Sequence, residues 1–286
     1  MIALWPQIIR PLTEAINGRT LLEIGAEQGL STNVLLDYVQ STGGHLHCID
    51  PSPEFDPKNF VAKYGSHLTF HQDLSLNVLS NLPQVDVALV DGDHNWYTVF
   101  NELKLIEEVH GSDPDIMPLI FVHDIGWPYG RRDLYYDPTT IPAEYLRPFA
   151  QRGIGRHKTE LREDGGLNCN LFNAVIEGGP KNGVLTGVED YLGQSKLDFI
   201  FLNLPLYFGL GILIPRKRVE KNNKLQSEIT VLHDYLKGSR LVKIAEQLRL
   251  NTLMVLQGVQ RDLDSSKSRI QELEASLAAL TFEKKK

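Results

Sequence analysis

The chain has 286 residues, of which 42% are hydrophobic and 23% are charged, and its formal net charge is −7. This length accommodates one α/β domain of about 200 residues and an appendage. The negative charge argues against nucleic-acid binding, which requires a basic face. Two cysteines, Cys48 and Cys169, cannot build a disulfide framework, and no basic and apolar leader is evident. A cytoplasmic protein is therefore expected.

Short apolar runs alternate with helical patterns over the first 125 residues. A lead-in helix is predicted over residues 5–16, and further helices over residues 32–39 and 96–109. The predicted strands are residues 21–24, 46–49, 68–71, 85–90 and 119–123. This alternation predicts a parallel sheet with right-handed helical crossovers, whose ligand site lies at the carboxyl ends of the strands.

The turn after the first predicted strand reads E-I-G-A-E-Q-G. Gly25 has no Cβ, so a ligand can lie against the backbone there, and Gly29 lets the next helix start close to the sheet. Asp50 ends the second strand, where an acidic residue suits the hydroxyls of a ribose. The spacing lacks the G-x-G-x-x-G of a pyrophosphate site, and Glu23 and Glu27 would repel a pyrophosphate. The turn therefore predicts a site for a cationic, phosphate-free nucleoside; the alternative is an ordinary strand–turn–helix without ligand.

Acidic residues and histidines follow the fourth and fifth predicted strands. Asp91, Asp93 and His94 follow the fourth strand, and His123 and Asp124 end the fifth. Three carboxylates and two imidazoles at one sheet edge would be unfavourable without a cation, and these donors suit Mg²⁺ or Mn²⁺. Such an ion lowers the pKa of a substrate hydroxyl, and a neighbouring side chain takes its proton. Asp91 and Asp124 as helix N-caps remain an alternative. Alternatives also remain for the two histidines. His94 could hydrogen-bond a backbone carbonyl, and His123 could be a hydrogen-bonded polar residue or a base without a metal.

With the glycine turn, Asp50 and the D-G-D-H of residues 91–94, the chain resembles the class I S-adenosylmethionine-dependent methyltransferases. Within them it resembles the metal-dependent O-methyltransferases of sugar and natural-product pathways, over residues 20–215. The resemblance implies an α/β fold with a doubly wound, mostly parallel, seven-stranded Rossmann-like sheet, and S-adenosylmethionine as cofactor. It implies that the two glycines of the turn border the methionine moiety, that Asp50 holds the ribose and that Asp73 lies near the adenine amino group.

The resemblance also assigns roles to single residues. The cofactor-binding candidates are Glu23, Gly25, Ala26, Gly29, Ser31, Asp50, Asp73 and Asp91. The metal candidates are Asp91, His123 and Asp124, and the catalytic candidates are Asp93, His94 and His123. Asp93 matches the general base of the family. Many relatives carry an aspartate where this chain has His123, and this departure favours a softer ion such as Mn²⁺, or a His123 base with no metal.

Aromatic and basic side chains, including that of Tyr136, crowd the segment that follows Asp124. The substrate candidates are Trp127, Tyr129, Arg131, Arg132 and Tyr135. Aromatic rings stack on the apolar face of a pyranose, and arginine pairs with phosphate or carboxylate, so an anionic or nucleotide-linked sugar or a polysaccharide end is expected. This segment, residues 126–142, and a second one, residues 165–183, are predicted to cover the substrate. The alternative is a loop packed by its own aromatic residues.

The last third of the chain changes in character. Residues 197–215 predict two buried antiparallel strands, 199–204 and 210–215, rather than a membrane-spanning helix. Residues 217–226 are polar and basic, as in a linker. Apolar residues then follow heptad spacing at Leu256, Val259, Leu263, Ile270, Leu273, Leu277 and Leu280. This spacing predicts a coiled coil and a homo-oligomer; the alternative is a helix that packs on its own domain.

The expected domains are a methyltransferase domain at residues 1–216 and a linker with a coiled-coil helix at residues 217–286. The predicted function is an S-adenosylmethionine-dependent O-methyltransferase, assisted by a divalent cation, that methylates a hydroxyl of a sugar or glycan. One alternative is a hydroxylase-like or oxidoreductase relative with the same nucleotide fold, which the missing third glycine disfavours. Another is a non-catalytic nucleotide-binding domain on a coiled coil. The set Glu23, Asp50, Asp91 and Asp124 speaks against it.

Overall fold

The computed structural model describes residues 1–111, 113–237 and 239–283, and the side chains of these residues except those at 236, 237, 239 and 277–283. The strands are β1 (Thr20–Ile24), β2 (His45–Ile49), β3 (Leu68–His71), β4 (Val87–Val90), β5 (Leu119–His123), β6 (Leu134–Tyr135), β7 (Phe149–Gln151), β8 (Phe172–Ala174), β9 (Phe199–Leu204) and β10 (Leu210–Pro215). The helices are α1 (Arg10–Ala15), α2 (Leu30–Thr42), α3 (Pro57–Tyr64), α4 (Ser75–Val78), α5 (Trp96–His110), α6 (Val184–Gln194), α7 (Arg216–Glu220), α8 (Asn223–Lys237) and α9 (Ser239–Glu283).

The main sheet contains seven strands in the order β3-β2-β1-β4-β5-β10-β9. The first five strands of the chain pair in parallel, whereas β10 pairs antiparallel with β5 and with β9. The predicted fold class, a mostly parallel seven-stranded α/β sheet, is thus confirmed. Each predicted strand is present, and β4 starts at Val87, two residues later than predicted. Continuous apolar runs form the central strands because helices cover both faces of the sheet.

Helices on the two faces enclose two apolar clusters. α1, α2, α7 and α8 contribute to one cluster, and α5 and α6 contribute to the other. In α7 and α8, the side chains of Val219, Leu225 and Leu232 are buried in the first cluster. Instead of the linker predicted for residues 217–226, the structure therefore has helices that pack on the domain. The domain boundary at residue 216 stays a prediction.

An insert lies between β5 and α6 and spans residues 124–183. It contains a small antiparallel sheet in which β8 pairs with β6 on one side and with β7 on the other. The two segments predicted to cover the substrate, residues 126–142 and 165–183, belong to this insert. They carry backbone structure of their own rather than forming open loops.

The long helix α9 has a packed part and a projecting part. Glu246 and Leu250 are buried, and Leu253 and Met254 pack against the second apolar cluster. From 262 to 276 every side chain is exposed. The heptad positions Leu256, Val259, Leu263, Ile270 and Leu273 are 46% to 60% exposed. The side chains of Leu277 and Leu280, and residues 284–286, lie outside the described residues, and the coiled coil stays a prediction.

The apolar segment near residue 205 forms β9 and β10, as predicted. In the part of the chain that the structure describes, no helix combines the length and the apolar character that a bilayer span needs.

Candidate active site

The glycine turn lies at the carboxyl end of β1, in close contact with the end of β4. Gly25 has a φ of +90°, and a Cβ built on it would lie 2.3 Å from the carbonyl oxygen of Asp91. A side chain at this position is therefore excluded by the protein backbone itself, in addition to any ligand. Gly29 precedes α2 with a φ of +74° and lies against Phe55 and Phe60.

Asp50 at the end of β2 holds the backbone of the glycine turn. Its Oδ2 accepts hydrogen bonds from the N–H groups of Ala26 (2.8 Å) and Glu27 (2.9 Å), and its Oδ1 accepts one from Ser52 N–H (2.8 Å). The carboxylate is buried. The sequence predicts a contact between Asp50 and a ribose; the structure adds that the same carboxylate fixes the shape of the turn.

Glu23 is buried beneath the turn and faces the start of α2. Its Oε1 accepts a hydrogen bond from Ser31 Oγ at 2.6 Å, and Cys48 Sγ donates to Oε2 at 3.3 Å. Burial raises the pKa of Glu23. Asp73, after β3, is exposed and its Oδ1 accepts hydrogen bonds from Leu74 N–H and from the side-chain amide of Asn77.

The ends of β4 and β5 bring Asp91, His94, His123 and Asp124 together, and these four residues are called the charged cluster below. His123 Nδ1 lies 3.0 Å from Asp91 Oδ1 and 2.9 Å from Asp124 Oδ2. His94 Nε2 lies 2.8 Å from the same Asp124 oxygen. The side chains of the two histidines and Asp124 are only 10% to 12% exposed. The adjacency expected from neighbouring parallel strand ends is thus observed.

Mutual attraction within the charged cluster shifts the pKa values of its members. Burial by itself would lower the pKa of His123, but the carboxylates of Asp91 and Asp124 raise it to about 10. The same competition leaves the pKa of His94 raised. Burial opposes ionisation of Asp91 and Asp124, yet the neighbouring imidazoles hold both pKa values below the ordinary range. The described side chains thus form a compact set of alternating charges.

Two of the alternative roles are not observed. The N-cap of α5 is Asn95, whose side chain accepts a hydrogen bond from Thr98 N–H, and Asp91 is not at that position. Asp124 precedes no helix. Its φ is +58°, a left-handed conformation that is uncommon outside glycine, asparagine and aspartate. His94 contacts carboxylates rather than a backbone carbonyl, and its Nδ1 is buried without a hydrogen-bond partner among the described residues.

Asp93 lies beside the charged cluster and is tied to the start of α5. Its Oδ2 accepts hydrogen bonds from Asn95 Nδ2 (2.5 Å) and Thr98 Oγ1 (2.8 Å). Burial raises the pKa of Asp93 in spite of these hydrogen bonds. The carboxyl group is therefore closer to an effective proton acceptor at neutral pH than an exposed aspartate.

Three of the predicted substrate residues are buried inside the insert. Arg132 is 0% exposed and donates hydrogen bonds to the carbonyl oxygens of Ala174 and Thr159. Tyr135 donates to Asp133 at 2.8 Å, and Tyr129 donates to Asn173 at 3.2 Å. For Arg132 and Tyr135 the substrate assignment is corrected: the alternative interpretation, an insert packed by its own aromatic and polar side chains, describes them. The physical reason is that buried polar groups need hydrogen-bond partners, and backbone and side-chain groups of the insert supply them. The ring of Tyr129 also lies 5.6 Å from that of His94, so its substrate contact stays a prediction.

Arg131 and Trp127 lie nearer to the surface. Arg131 forms a two-pronged ion pair with Glu189 on α6, with N···O distances of 2.6 and 2.7 Å. Its positive charge is thus already compensated. The ring of Trp127 is half-buried, and the guanidinium of Arg156 lies 5.5 Å from its centroid.

Tyr136, in the aromatic and basic segment after Asp124, and Phe208, which was not predicted from the sequence, also border the charged cluster. Tyr136 is 56% exposed, and its ring lies 5.8 Å from that of His94. Phe208, in the turn between β9 and β10, lies 6.5 Å from the ring of His123. Tyr136 directly follows β6, whose two residues are both buried, so burial does not alternate along this segment and only the structure identifies the exposed ring. No local signal marks Phe208, since the antiparallel pairing of β10 with β5 brings it close.

Comparison with known proteins adds a family match. Residues 22–125, 104 of the 286 residues, match the family described as a methyltransferase domain. This stretch begins within β1 and contains β2 to β5, the glycine turn and the charged cluster. No curated protein matches the chain.

Several solved structures are similar to the chain. The SAH-bound methyltransferase PaMTH1 of Podospora anserina is 15% identical, with a TM-score of 0.45, over 72% of this chain and 76% of that one. The 1,6-didemethyltoxoflavin-N1-methyltransferase of Burkholderia thailandensis is 12% identical (TM-score 0.37; 71% and 76% covered). Human N-acetylserotonin methyltransferase, in complex with SAM, is 15% identical (TM-score 0.39; 74% and 52% covered). At these sequence identities and TM-scores, the similarities give no information about the methyl acceptor.

The family match covers the strand ends at which the sequence predicts the cofactor. With that match, and with the seven-stranded sheet that positions these ends, the chain contains a methyltransferase domain.

Proposed function

We propose that this enzyme is a metal-assisted O-methyltransferase whose acceptor is a hydroxyl of a sugar or glycan. The observation that carries the proposal is the group of Asp91, His123 and Asp124, in which one ligand atom from each residue lies within 4.8 Å of the others. Two carboxylate oxygens and one imidazole nitrogen suit Mg²⁺ or Mn²⁺. A cation bound there supplies a lower pKa for the acceptor hydroxyl.

The cofactor would lie across the glycine turn, between Glu23 and Ser31 on one side and Asp50 and Asp73 on the other. Asp91 Oδ2 accepts a hydrogen bond from the ammonium group of Met1 at 3.0 Å. The methionine part of S-adenosylmethionine carries the same kind of donor. Its ammonium group therefore fits Asp91, which we propose as a residue that serves both the cofactor and the cation.

Asp93 and His94 are the proposed proton acceptors. The raised pKa of Asp93 strengthens it as a base, and His94 Nδ1 has no partner among the described residues. His123 is less suited to this role in the absence of a cation, because a group with a pKa of about 10 stays protonated at neutral pH. Serving as a ligand requires the neutral imidazole, so cation binding at His123 would release a proton.

The acceptor class rests on the aromatic side chains at the mouth of the site. The exposed ring of Tyr136 and the ring of Phe208 flank the two histidines of the charged cluster. Flat rings of this kind stack on the apolar face of a pyranose. Arg132 is buried and is no longer proposed as a substrate contact, and the positive charge of Arg131 is paired. No arginine of the predicted set therefore supports an anionic group on the acceptor.

One observation keeps a second candidate in view. His94 and His123 both lie within 3 Å of Asp124, and two imidazoles with one carboxylate are the ligands of non-haem ferrous iron. The same cluster would then serve a hydroxylase-like reaction on the nucleotide fold. A titration with Fe²⁺, Mn²⁺ and Mg²⁺ separates the two, because methyl transfer requires no redox-active ion.

The test combines cofactor binding, methyl transfer and metal removal. S-adenosylmethionine is titrated by calorimetry, and radiolabelled methyl transfer is measured onto free and nucleotide-linked sugars, catechols and amines. We expect binding with or without EDTA, and transfer to sugar hydroxyls only when Mg²⁺ or Mn²⁺ is added back. Transfer that is indifferent to EDTA would remove the metal from the proposal, and transfer to amines alone would remove the hydroxyl acceptor.

The Asp124→Asn variant tests the same site without a chelator. Asparagine tolerates the left-handed backbone, so the fold is expected to survive. Loss of one charge at the reacting centre should lower kcat about 10²- to 10³-fold, with cofactor binding retained. Asp198→Asn is the matched control, because Asp198 is exposed and pairs only with Arg216 among the described residues.

We also propose that the projecting part of α9 joins two or more copies of the chain. Leu263, Ile270 and Leu273 follow heptad spacing and are each about half exposed. A projecting helix with such a seam is stabilised by a partner helix. Sedimentation of the full chain and of a chain shortened after residue 261 tests this proposal. We expect the full chain to be an oligomer and the shortened chain to be a monomer. A full chain that sediments as a monomer would contradict the proposal.

A further inference from the structure

The packed part of α9 contacts the turn between β9 and β10 through one buried carboxylate. Glu246 Oε2 accepts a hydrogen bond from Tyr207 N–H at 3.1 Å, and Glu246 Oε1 accepts one from Phe208 N–H at 2.9 Å. Glu246 is 8% exposed. A buried carboxylate that binds two successive backbone N–H groups of a distant segment fixes the position of that segment.

The turn held by Glu246 has an unfavourable backbone conformation. Tyr207, Phe208 and Gly209 have φ values of +50°, +66° and +91°. Left-handed geometry is ordinary for glycine but unfavourable for tyrosine and phenylalanine, because their side chains crowd the backbone. Such a conformation persists where surrounding contacts impose it, and the two hydrogen bonds to Glu246 are contacts of that kind.

The turn at Tyr207 and Phe208 also contacts the segment that follows Asp124. Gly126 N–H donates a hydrogen bond to the carbonyl oxygen of Phe208 at 2.5 Å. Backbone packing is so close that a Cβ on Gly126 would lie 2.4 Å from the same oxygen, and a Cβ on Gly209 would lie 2.5 Å from Gly126 N. Asp124 itself has a left-handed φ of +58° two residues earlier. The turn is therefore rigidly connected to the backbone that orients the Asp124 carboxylate.

Arg249 completes the contact from the same helix. Its guanidinium binds both oxygens of Glu246, at 2.7 and 2.8 Å, and lies 4.3 Å from the ring centroid of Phe208. Burial would raise the pKa of Glu246, but the hydrogen bonds from Arg249 and from the turn outweigh burial and lower it. The carboxylate is thus ionised when it binds the turn, and the cation also covers the aromatic ring beside His123.

We infer that Glu246 is a positioning residue of the active site, which acts through the Tyr207–Phe208 turn and Gly126 to set the backbone of Asp124. The first part of α9 is then a wall of the catalytic centre, and the helix is more than an oligomerisation segment. The inference rests on the proposed role of Asp124. It goes beyond that role because a residue 122 positions away in the sequence determines how Asp124 is presented.

The test compares Glu246→Ala and Glu246→Gln with Glu272→Ala in the full-length chain. Glu272 is the matched control because it lies on the same helix, is exposed and pairs with Arg269. Hydrogen–deuterium exchange is followed in peptides that cover residues 124–127 and 205–209. Cofactor affinity, Mn²⁺ affinity, kcat and the KM of the acceptor are measured in parallel.

We expect Glu246→Ala to speed exchange in both peptides and to lower kcat by about tenfold or more, since two hydrogen bonds to the turn are lost. Mn²⁺ affinity should fall, while cofactor affinity stays within about twofold. In exchange rate, kcat and Mn²⁺ affinity, Glu246→Gln should fall between Glu246→Ala and the unmodified protein, because its amide oxygen keeps one acceptor. Glu272→Ala should match the unmodified protein in every measurement.

Each outcome bears on the inference separately from the proposed function. Faster exchange limited to α9, or an unchanged kcat in both Glu246 variants, would overturn the positioning role while the methyltransferase proposal stands. If the unmodified protein transfers no methyl group, the proposed acceptor fails, and exchange and Mn²⁺ affinity still decide the role of Glu246. A general loss of stability would speed exchange throughout the sheet, which the peptides from β1 and β2 reveal.

Discussion

The charged cluster and the insert contain the same kinds of residues and use them differently. In the charged cluster, charged side chains face one another: His123 lies within 3.0 Å of two carboxylates. In the insert, the guanidinium of Arg132 donates to two backbone carbonyl oxygens, with the carboxylate of Glu177 farther away at 3.7 Å, and the carboxylate of Asp133 accepts hydrogen bonds from Trp96 N–H and Gly183 N–H. Charged groups that hydrogen-bond backbone groups stabilise the fold. Charges that face each other at strand ends are available to bind something else.

Adjacent arginines give the sharpest test of this difference. Arg132→Ala removes a fully buried guanidinium, leaves the carbonyl oxygens of Ala174 and Thr159 without their donor, and should lower the free energy of unfolding by about 4 kcal/mol. Arg131→Ala breaks an ion pair with Glu189 in which both side chains are more than 40% exposed, and should cost less than about 1 kcal/mol. Urea unfolding of the two variants measures both values.

For Arg131 and Arg132, the KM of the acceptor distinguishes a structural role from a role in acceptor binding. If the assignments are right, neither substitution raises KM in protein that remains folded. An Arg131→Ala variant with normal stability and a strongly raised KM would restore the anionic acceptor and return part of the insert to substrate binding.

Glu102, a buried residue of α5, shows how strongly burial changes a carboxyl group. On α5, its Oε1 accepts a hydrogen bond from Ser75 Oγ at 2.5 Å, and its Oε2 has no partner among the described residues. Burial raises its pKa from an ordinary 4.5 to about 8, and nearby Asp93 adds to the effect. A folded-state pKa above the unfolded one stabilises the fold fully below about pH 4.5. This contribution is lost as the pH rises to about 8.

Glu102→Gln should therefore be more stable than the unmodified protein, by about 4 kcal/mol at pH 8. The difference should open above pH 4.5 and stop widening near pH 8, where the folded carboxyl ionises. Thermal unfolding between pH 4 and pH 9 measures it, with Glu108→Gln on the exposed side of the same helix as control. A gap that is independent of pH would show that Glu102 is ionised in the folded protein.

The sheet and the charged cluster were predictable because their signals are local. Uninterrupted apolar runs mark strands buried on both sides, and the boundaries of β3, β5, β9 and β10 agree with the prediction. Residues that directly follow such strands meet at one edge of a parallel sheet, so Asp91 and Asp124 were expected to be neighbours. Their contact through His123 bears this out.

The orientation of the insert and the role of α9 were not predictable, since their partners are distant in the sequence. Arg132 is buried because it binds carbonyl groups 27 and 42 residues away. Glu246 reaches the turn at Tyr207 and Phe208, which lie 39 and 38 residues before it. Composition places aromatic and basic residues in a segment, but only the tertiary pairing determines which of them face solvent.

Tyr136 gives the smallest predicted effect and the finest test, because it is the insert residue whose exposed ring borders the charged cluster. Tyr136→Ala removes a stacking surface and should raise the acceptor KM by about five- to tenfold, the equivalent of about 1 kcal/mol, with kcat little changed. Tyr136→Phe keeps the ring and should keep KM. Tyr235→Ala, at an exposed position of α8, is the control. If Tyr136→Phe lowers kcat as much as Tyr136→Ala does, the hydroxyl group takes part in proton transfer, and Tyr136 then belongs with the charged cluster rather than with acceptor binding.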